Sequence, residues 1–285
     1  MRRGLYLGAA EFDGLTASER YRLRVLAAAR TLAAGTVFSH ESAAVLLGLP
    51  VLHRWPDVVH VIDERRGGGR SQLDVVRHCI GLELVQPFAL EGALVTSPAR
   101  TVLDLSMSRS FDAGVVTADA AFAASPGCRE ELERLVAAQR GRRGHRKAER
   151  VLAFADGAAG SPGESLSRVL IDRLGFRRPV LQLPVRTGGR TEYLDFAWPD
   201  RQTGGEFDGE VKYRQDRYRL GGSVEDVVIR EKNRENRIRR LVPHLARWDW
   251  SDLEEPQRLE RILLAAGVPR DHAPVRAVPP STRGG

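Results

Sequence analysis

The chain contains little of what secreted or membrane-spanning proteins need. Two of its 285 residues are cysteine, Cys79 and Cys128, and they form neither a metal-ligand spacing nor a disulfide framework, which favours a reducing cytosol. No stretch approaches the roughly 18 apolar residues of a membrane span. No long apolar run follows the two arginines near the N-terminus, so we expect no secretory signal. The composition predicts a cytoplasmic protein with no membrane partner.

Lysine is also scarce, because only Lys147, Lys212 and Lys232 stand among 44 basic residues and the rest are arginine. The net charge is +7 and the isoelectric point is about 10.0. Arginine suits bidentate phosphate contacts, and a basic balance favours a polyanionic partner, above all nucleic acid. A GC-rich genome that encodes arginine in place of lysine is the alternative explanation.

The length is sufficient for two domains. Residues 156–163 (DGAAGSPG) are small and rich in breakers, so we place the boundary there. The predicted organisation is a first domain over 1–155 with a small sheet and helices, a second over 161–266, and a disordered tail over 267–285.

Two helical segments of the first domain have further predicted features. Ser97 and Pro98 are typical of a helix start, and Arg100 and Asp104 are spaced for an ion pair on that helix. Residues 129–153 also have a helical pattern, and within them lies a basic run at 139–147 (QRGRRGHRK). A solvated linker or helix end is the favoured interpretation of that run, and a phosphate-binding patch is the alternative.

Acidic residues in the second half indicate a functional site. Asp195 lies in a strand-like run at 193–198, and a turn at 199–204 leads to the next run, where Glu206 and Asp208 lie. The period of two along a strand places Glu206 and Asp208 on one face. In the first run Leu194, Phe196 and Trp198 share the face expected to pack on a core, which leaves Asp195 on the opposite face.

Three like charges in one place require neutralisation, and a hard divalent cation such as Mg²⁺ (or Mn²⁺) provides it through oxygen ligands. Such a metal polarises a phosphoryl oxygen and lowers the pKa of a bound water. Lys212 could stabilise the developing negative charge or orient the nucleophile. The predicted catalytic set is Glu164, Asp195, Glu206, Asp208 and Lys212, with Asp195, Glu206 and Glu164 as metal ligands.

Each acid also has a structural explanation. Glu164 lies in the first turn of a helix, where the helix dipole favours a carboxylate. Asp195 could be a strand-end carboxylate, and Asp208 precedes Gly209 in a typical turn pair. The joint occurrence of the acids favours a site over these separate explanations.

A long charged helix is predicted over 224–242. Lys232, Arg234 and Arg237 on this helix are candidate contacts to a nucleic-acid backbone. A solvated amphipathic helix is the alternative.

With these motifs in place, residues from about 161 to 253 resemble the PD-(D/E)XK nucleases, and within them the very-short-patch-repair endonuclease-like group. The resemblance is carried by ES..R from Glu164, DFAWP from Asp195, GEFDG..KY from Gly205, EK.RE from Glu231 and RW.W from Arg247. It implies a restriction-endonuclease-like α/β core with a mixed sheet around a hairpin. It also implies Mg²⁺-dependent hydrolysis of DNA, with Glu164, Asp195 and Glu206 as the acids. Asp208 stands where the family has a lysine, and Lys212 or Lys232 could substitute for it.

The first half, from about Arg2 to Phe122, resembles the AbiEi antitoxins of type IV toxin–antitoxin systems. The motifs are RRGLYLG at 2–8, SHESAAVLLGLP from Ser39 and VTSPARTVLDL from Val95. The resemblance implies a winged helix-turn-helix that binds promoter DNA, and a cognate toxin as a possible partner. Because the chain begins at what would be the wing, the DNA-recognition helix is expected either upstream of this start or lost.

The predicted fold class is therefore α/β, with an α+β domain followed by an α/β nuclease-like core. The leading functional hypothesis is an Mg²⁺-dependent DNA endonuclease. A non-catalytic, antitoxin-like DNA-binding regulator is the alternative, and a protein-interaction module is the third. The sequence leaves the oligomeric state open.

Overall fold

The computed structural model of the protein describes residues 12–62, 74–79, 85–187, 189–209, 237–239 and 241–274. Contacts divide the chain into two compact units, Met1–Gly157 and Ala158–Gly285, and the division falls within the breaker-rich segment 156–163. The predicted wing at 2–8, Lys212, Lys232, Arg234 and the end of the tail from 275 lie outside the described residues. In the described part of the chain, no helix is both long and apolar enough to cross a membrane.

The first unit contains a mixed five-stranded sheet in the order β3-β2-β1-β5-β4. Its strands are β1 Val37–Phe38, β2 Val59–Ile62, β3 Val75–His78, β4 Phe88–Leu90 and β5 Ala93–Val95. The helices described in this unit are α1 Ala17–Ala29, α2 His40–Leu46, α3 Pro98–Ser108, α4 Phe111–Ala124, α5 Cys128–Ala138 and α6 His145–Phe154. Helix α3 begins as predicted, because Ser97 Oγ accepts the N–H of Arg100 and Pro98 occupies the first turn.

The helical pattern predicted over 129–153 is interrupted at 139–144, within the basic run interpreted as a linker or helix end, where the chain breaks between α5 and α6. Gly141 and Gly144 adopt positive φ angles of 83° and 89° there, a conformation that only glycine adopts readily. A Cβ on Gly144 would lie 2.5 Å from the carbonyl oxygen of Met107. The break is therefore a fixed feature of the unit.

The second unit contains a four-stranded sheet in the order β6-β7-β8-β9. Strand β7 is antiparallel to both β6 and β8, and β9 is parallel to β8. The elements are α7 Pro162–Arg173, β6 Val180–Thr187, β7 Arg190–Trp198, a 3₁₀ turn Pro199–Arg201, β8 Thr203–Asp208, β9 His244–Asp249, α8 Trp250–Glu254 and α9 Pro256–Ala265. Helices and mixed sheets confirm the α/β fold class.

Helix α7 packs closely on β8 because of a glycine. A Cβ on Gly163 would lie 2.0 Å from Cε1 of Phe207, so no larger residue fits at that contact. One turn further along, Ser167 Oγ accepts the indole N–H of Trp248 on β9 at 2.8 Å. These contacts hold the first turn of α7, and with it Glu164, against the sheet.

The predicted common face of Leu194, Phe196 and Trp198 is wrong. Phe196 and Trp198 pack in the main core with Trp248, whereas Leu194 packs in a second cluster with Ala197. Gln182 on the paired strand β6 has a φ of 48°, and such a residue interrupts the pleat. The alternation of faces therefore changes between residues 194 and 196.

The predicted disorder from residue 267 is wrong for the described residues of that segment. Val268 is buried in the main core, and the N–H of Arg177 donates to the carbonyl oxygen of Pro269 at 2.8 Å. The N–H of Asp271 donates to the carbonyl oxygen of Gly175 at 2.9 Å. The composition predicted disorder, but the apolar side chain of Val268 and these backbone bonds tie the segment to α7 and its C-terminal turn.

Candidate functional site

Asp195 and Glu206 lie opposite each other on neighbouring strands. Phe196 pairs with Gly205, so Asp195 and Glu206 are the next facing positions in the antiparallel register. Asp195 Oδ2 accepts the backbone N–H of Phe207 at 3.0 Å, and Glu206 is 4% exposed. The sheet thus places the two residues at facing positions of neighbouring strands, and the convergence of their carboxylates on a metal stays a prediction.

Glu164 is held at the start of its own helix. Its Oε2 accepts the N–H of Gly160 at 2.8 Å and the Nε2–H of Gln182 at 3.1 Å, and its Oε1 accepts the hydroxyl of Ser161 at 2.9 Å. Ser161 Oγ in turn accepts the N–H of Glu164 at 3.2 Å, as an N-cap does. Gln182 occupies the β6 position opposite Asp195, so it links Glu164 to the row of site residues across the sheet.

Arg247 on β9 completes this row, and the sequence did not predict it as a site residue. It is paired with Glu206 in the parallel register, and its Nη2 donates to Glu206 Oε2 at 2.8 Å. Its Nη1 lies 3.6 Å from Asp208 Oδ2. Two signals in the sequence concerned this residue: the RW.W motif begins at Arg247, and an arginine between the buried residues Ala246 and Trp248 needs an acidic partner.

The row Gln182–Asp195–Glu206–Arg247 therefore runs across all four strands. Asp195 and Glu206 provide carboxylate oxygens of the type that Mg²⁺ prefers, and Mg²⁺ needs only one or two of them when waters fill the other positions. Among the residues that the structure describes, no group of three His, Cys, Asp or Glu side chains is placed to hold a metal. The carboxylate of Glu164 accepts hydrogen bonds from Gly160, Ser161 and Gln182. The metal site predicted from Asp195, Glu206 and Glu164 therefore stays a prediction.

Of the residues predicted to contact nucleic acid, only Arg237 lies within the described residues. Its Nη2 donates to Glu192 Oε1 at 2.6 Å, which ties it to β7. Its contact with nucleic acid stays a prediction, as do those of Lys232 and Arg234.

The first unit contains a second buried polar cluster, which the sequence analysis missed. The rings of His40 and His78 stack with centroids 3.7 Å apart, and Nδ1 of His60 lies 2.9 Å from Nε2 of His78. Burial lowers the pKa of all three histidines, and the neighbouring imidazoles lower it further for His40 and His78. The pKa of His78 falls to about 4, so the imidazoles are neutral at pH 7.

Two carboxylates and two arginines surround these imidazoles. Glu41 Oε2 lies 3.5 Å from His60 Nε2, and Arg109 is ion-paired with the same carboxylate. Asp104 is bound by Arg100 Nε at 2.9 Å, which confirms the predicted pair, and burial raises the pKa of Asp104 to about 6. Stacked imidazoles do not converge on one point, so we interpret the cluster as a polar core that joins α2, β2, β3 and α3.

Comparisons with known proteins identify relatives but no function. The uncharacterized proteins MT2308 and Rv2248, from the CDC 1551 and H37Rv strains of Mycobacterium tuberculosis, are each 34% identical to this chain over 173 residues. That stretch covers 55% of this chain and 64% of each relative, less than two thirds of their length. No family model and no solved structure matches the chain.

Proposed function

We propose that the second unit hydrolyses phosphodiester bonds of DNA, with Mg²⁺ or Mn²⁺ as its metal. The observation that carries the proposal is the row across the sheet, in which Asp195 and Glu206 face each other and Arg247 adjoins Glu206. Carboxylates suit a hard cation and a guanidinium suits a phosphate, so the three residues together match the chemistry of a phosphodiester.

Asp195 and Glu206 would hold the metal, which when bound polarises a phosphoryl oxygen and lowers the pKa of a water. Arg247 would bind a non-bridging phosphate oxygen and stabilise negative charge as it develops. This role matters because Asp208 stands where the resembling nucleases have a lysine. Gln182 and Glu164 would position the row through their mutual hydrogen bond.

The test is cleavage of plasmid, single-stranded and mismatched DNA with Mg²⁺ or Mn²⁺. We expect the wild type to cleave and the Glu206→Gln and Asp195→Asn variants to lose about 100-fold or more in rate. Asp200→Asn is the matched control, because this carboxylate lies in the turn of the same hairpin, half exposed and paired with Arg177. Wild-type rates in the Glu206 and Asp195 variants would refute the site.

A non-catalytic DNA-binding regulator is the second candidate function. It is favoured by the contact of Glu206 with Arg247, because the guanidinium takes up an oxygen that a metal would need. The antitoxin resemblance of the first half adds a cognate toxin as a proposed partner. If DNA is retained in a gel shift, nothing is cleaved, and millimolar Mg²⁺ leaves the melting temperature of the full chain unchanged, this second function replaces the first.

A further inference from the structure

The basic run of the first unit forms a concave surface around the start of α6. Residues 140–142, 144–147 and 149 line an open cavity of about 710 Å³. We call the side chains of Arg140, Arg142, Arg143, Arg146 and Lys147 the α6 basic surface. Glu149 is the acid among the lining residues, and its Oε1 lies 3.4 Å from Nε2 of the buried His145.

The arginines of this surface carry charge that the described residues do not neutralise. All four are exposed, and in the described part of the chain none of them has a carboxylate at ion-pair distance. By contrast, Arg22 and Arg109 of the same unit pair with Glu91 and Glu41. Such crowding of like charge creates a positive surface potential that attracts anions.

Lys147 adds to the same positive potential. Its ammonium group donates a hydrogen bond to the carbonyl oxygen of Arg109, which holds it beside the arginines. Burial lowers the pKa of Lys147, and the cation of Arg143 lowers it further.

The backbone makes the surface rigid and more positive. Gly144 caps α6 without a side-chain hydrogen bond, so no acidic or hydroxyl group neutralises the first turn. The positive end of the helix dipole therefore lies beside the arginines. Because Gly144 contacts Met107 too closely for any Cβ, the arginines project from a fixed loop.

We propose that the α6 basic surface binds the sugar–phosphate backbone of nucleic acid. Several arginines on an open concave surface match successive phosphates better than a single small anion. No Phe, Tyr or Trp is among the lining residues, so no aromatic platform for base stacking is present there. The proposal shares its partner with the proposed nuclease function but needs neither the metal nor the acids of the second unit.

The test is the binding of a fluorescent duplex to the full-length protein in EDTA, measured by anisotropy over a range of salt. We expect Arg142→Glu/Arg146→Glu to weaken binding by about 10-fold or more and to reduce the salt slope by about 2, one for each lost phosphate contact. The matched control is Arg30→Glu/Arg54→Glu, which makes the same change of charge on exposed residues of the same unit that do not line the cavity.

Equal losses in both double variants would overturn the proposal, because net charge alone would then explain the effect. Displacement of the duplex by polyglutamate as readily as by unlabelled duplex would also overturn it, in favour of an acidic polypeptide ligand. Glu206→Gln should bind the duplex like the wild type. If the wild type does not cleave DNA and Arg142→Glu/Arg146→Glu still weakens duplex binding as expected, only the nuclease function is refuted. If the wild type cleaves DNA and this double variant binds like the wild type, only the role of the α6 basic surface is refuted.

Discussion

The buried carboxylate of Glu206 depends on the guanidinium of Arg247. Glu206 is 4% exposed, and moving a charge out of water is unfavourable by several kcal/mol unless a hydrogen-bonded partner offsets it. Arg247 donates such a bond from the next strand. The two residues should therefore behave as a unit in stability measurements as well as in activity.

We predict that Arg247→Met destabilises the second unit by about 2–4 kcal/mol, because the buried carboxylate of Glu206 loses this donor. The double variant Glu206→Gln/Arg247→Met should recover part of that loss. Urea unfolding followed by tryptophan fluorescence measures both. Arg201→Met, on an exposed residue of the hairpin turn, should change stability by only about 0.5 kcal/mol. Additive losses in the double variant would contradict the coupling.

The hairpin pattern predicted the two facing acids, which are close in the chain, and local patterns missed Arg247, which is not. Asp195 and Glu206 follow from one hairpin, whose pairing is local. Arg247 meets Glu206 only through the parallel pairing of β8 and β9, which no local pattern encodes. The same holds for His40, His60 and His78, which three separate elements bring together.

At the scale of elements, the contact between α7 and β8 determines where Glu164 lies. Gly163 allows the first turn of α7 to contact the ring of Phe207. Glu164 is the next residue, and its carboxylate then reaches Gln182. A change in this contact should therefore move Glu164 as well as disturb the core.

We predict that Gly163→Ala destabilises the second unit by about 1–3 kcal/mol through overpacking. Gly209→Ala is the matched control, because its Cβ would lie 3.4 Å from the same ring, an ordinary contact. Replacing Phe207 by leucine in the Gly163→Ala background should restore part of the stability. Thermal melts of the variants check this, and equal melting temperatures for the two alanine variants would show that α7 does not pack as described.

Periodicity predicted most elements, but it failed where one residue has an unusual backbone conformation. The hairpin, α3 and α7 follow from caps, turns and alternation. The change of face near Asp195 lies opposite the positive φ of Gln182 on the paired strand, and nothing in the residue type indicates that conformation. In the same way the break between α5 and α6 includes two glycines with positive φ within a helical pattern, and the close approach of Gly144 to Met107 arises only in three dimensions.

At the scale of the whole molecule, the two units differ in how they bury histidine. His40 and His60 are buried in the first unit, whereas the described histidines of the second unit, His244 and His272, are exposed. The tryptophans also divide, since Trp55 lies in the first unit and the other three lie in the second. The units can therefore be followed separately in one chain.

We predict that acid selectively destabilises the first unit. The folded pKa values of its three clustered histidines lie below the ordinary 6.5, so the unfolded chain binds more protons and stability falls as the pH drops from about 6.5 towards 4. The pKa of Asp104 is raised from 3.8 to about 6, so protonation of this one carboxyl stabilises the fold as the pH falls. The three histidines have the opposite effect, and together they outweigh it. The expected net loss is on the order of 2 kcal/mol.

Urea unfolding at pH 7.5 and pH 5.0 checks this prediction. The tryptophan fluorescence of the wild type reports on both units, because Trp55 lies in the first unit. The fluorescence of Trp55→Phe reports on the second unit alone. The neighbouring groups Glu41, Arg100 and Arg109 remain in place in both proteins. An equal shift of both transitions would contradict an origin in the histidine cluster.

The net charge of +7 also has a consequence for binding by the whole chain. We predict that DNA affinity falls steeply between about 50 and 200 mM salt, because bound phosphates release counterions. Titrations at several salt concentrations measure the slope. Affinity that does not change with salt would argue against contacts dominated by the backbone.

The parallel pairing of β8 and β9 also has a consequence for the order of folding. Strands β6 and β7 are joined by residues 188–189, whereas residues 209–243 separate β8 from β9. Bringing together strands that are farther apart in the chain loses more chain entropy, so we expect β9 to dock after the hairpin has formed. Arg247 then reaches Glu206 only in that late step. Substitutions in β9 should accelerate unfolding and leave the folding rate almost unchanged, and the candidate site should be the first part of the sheet to open.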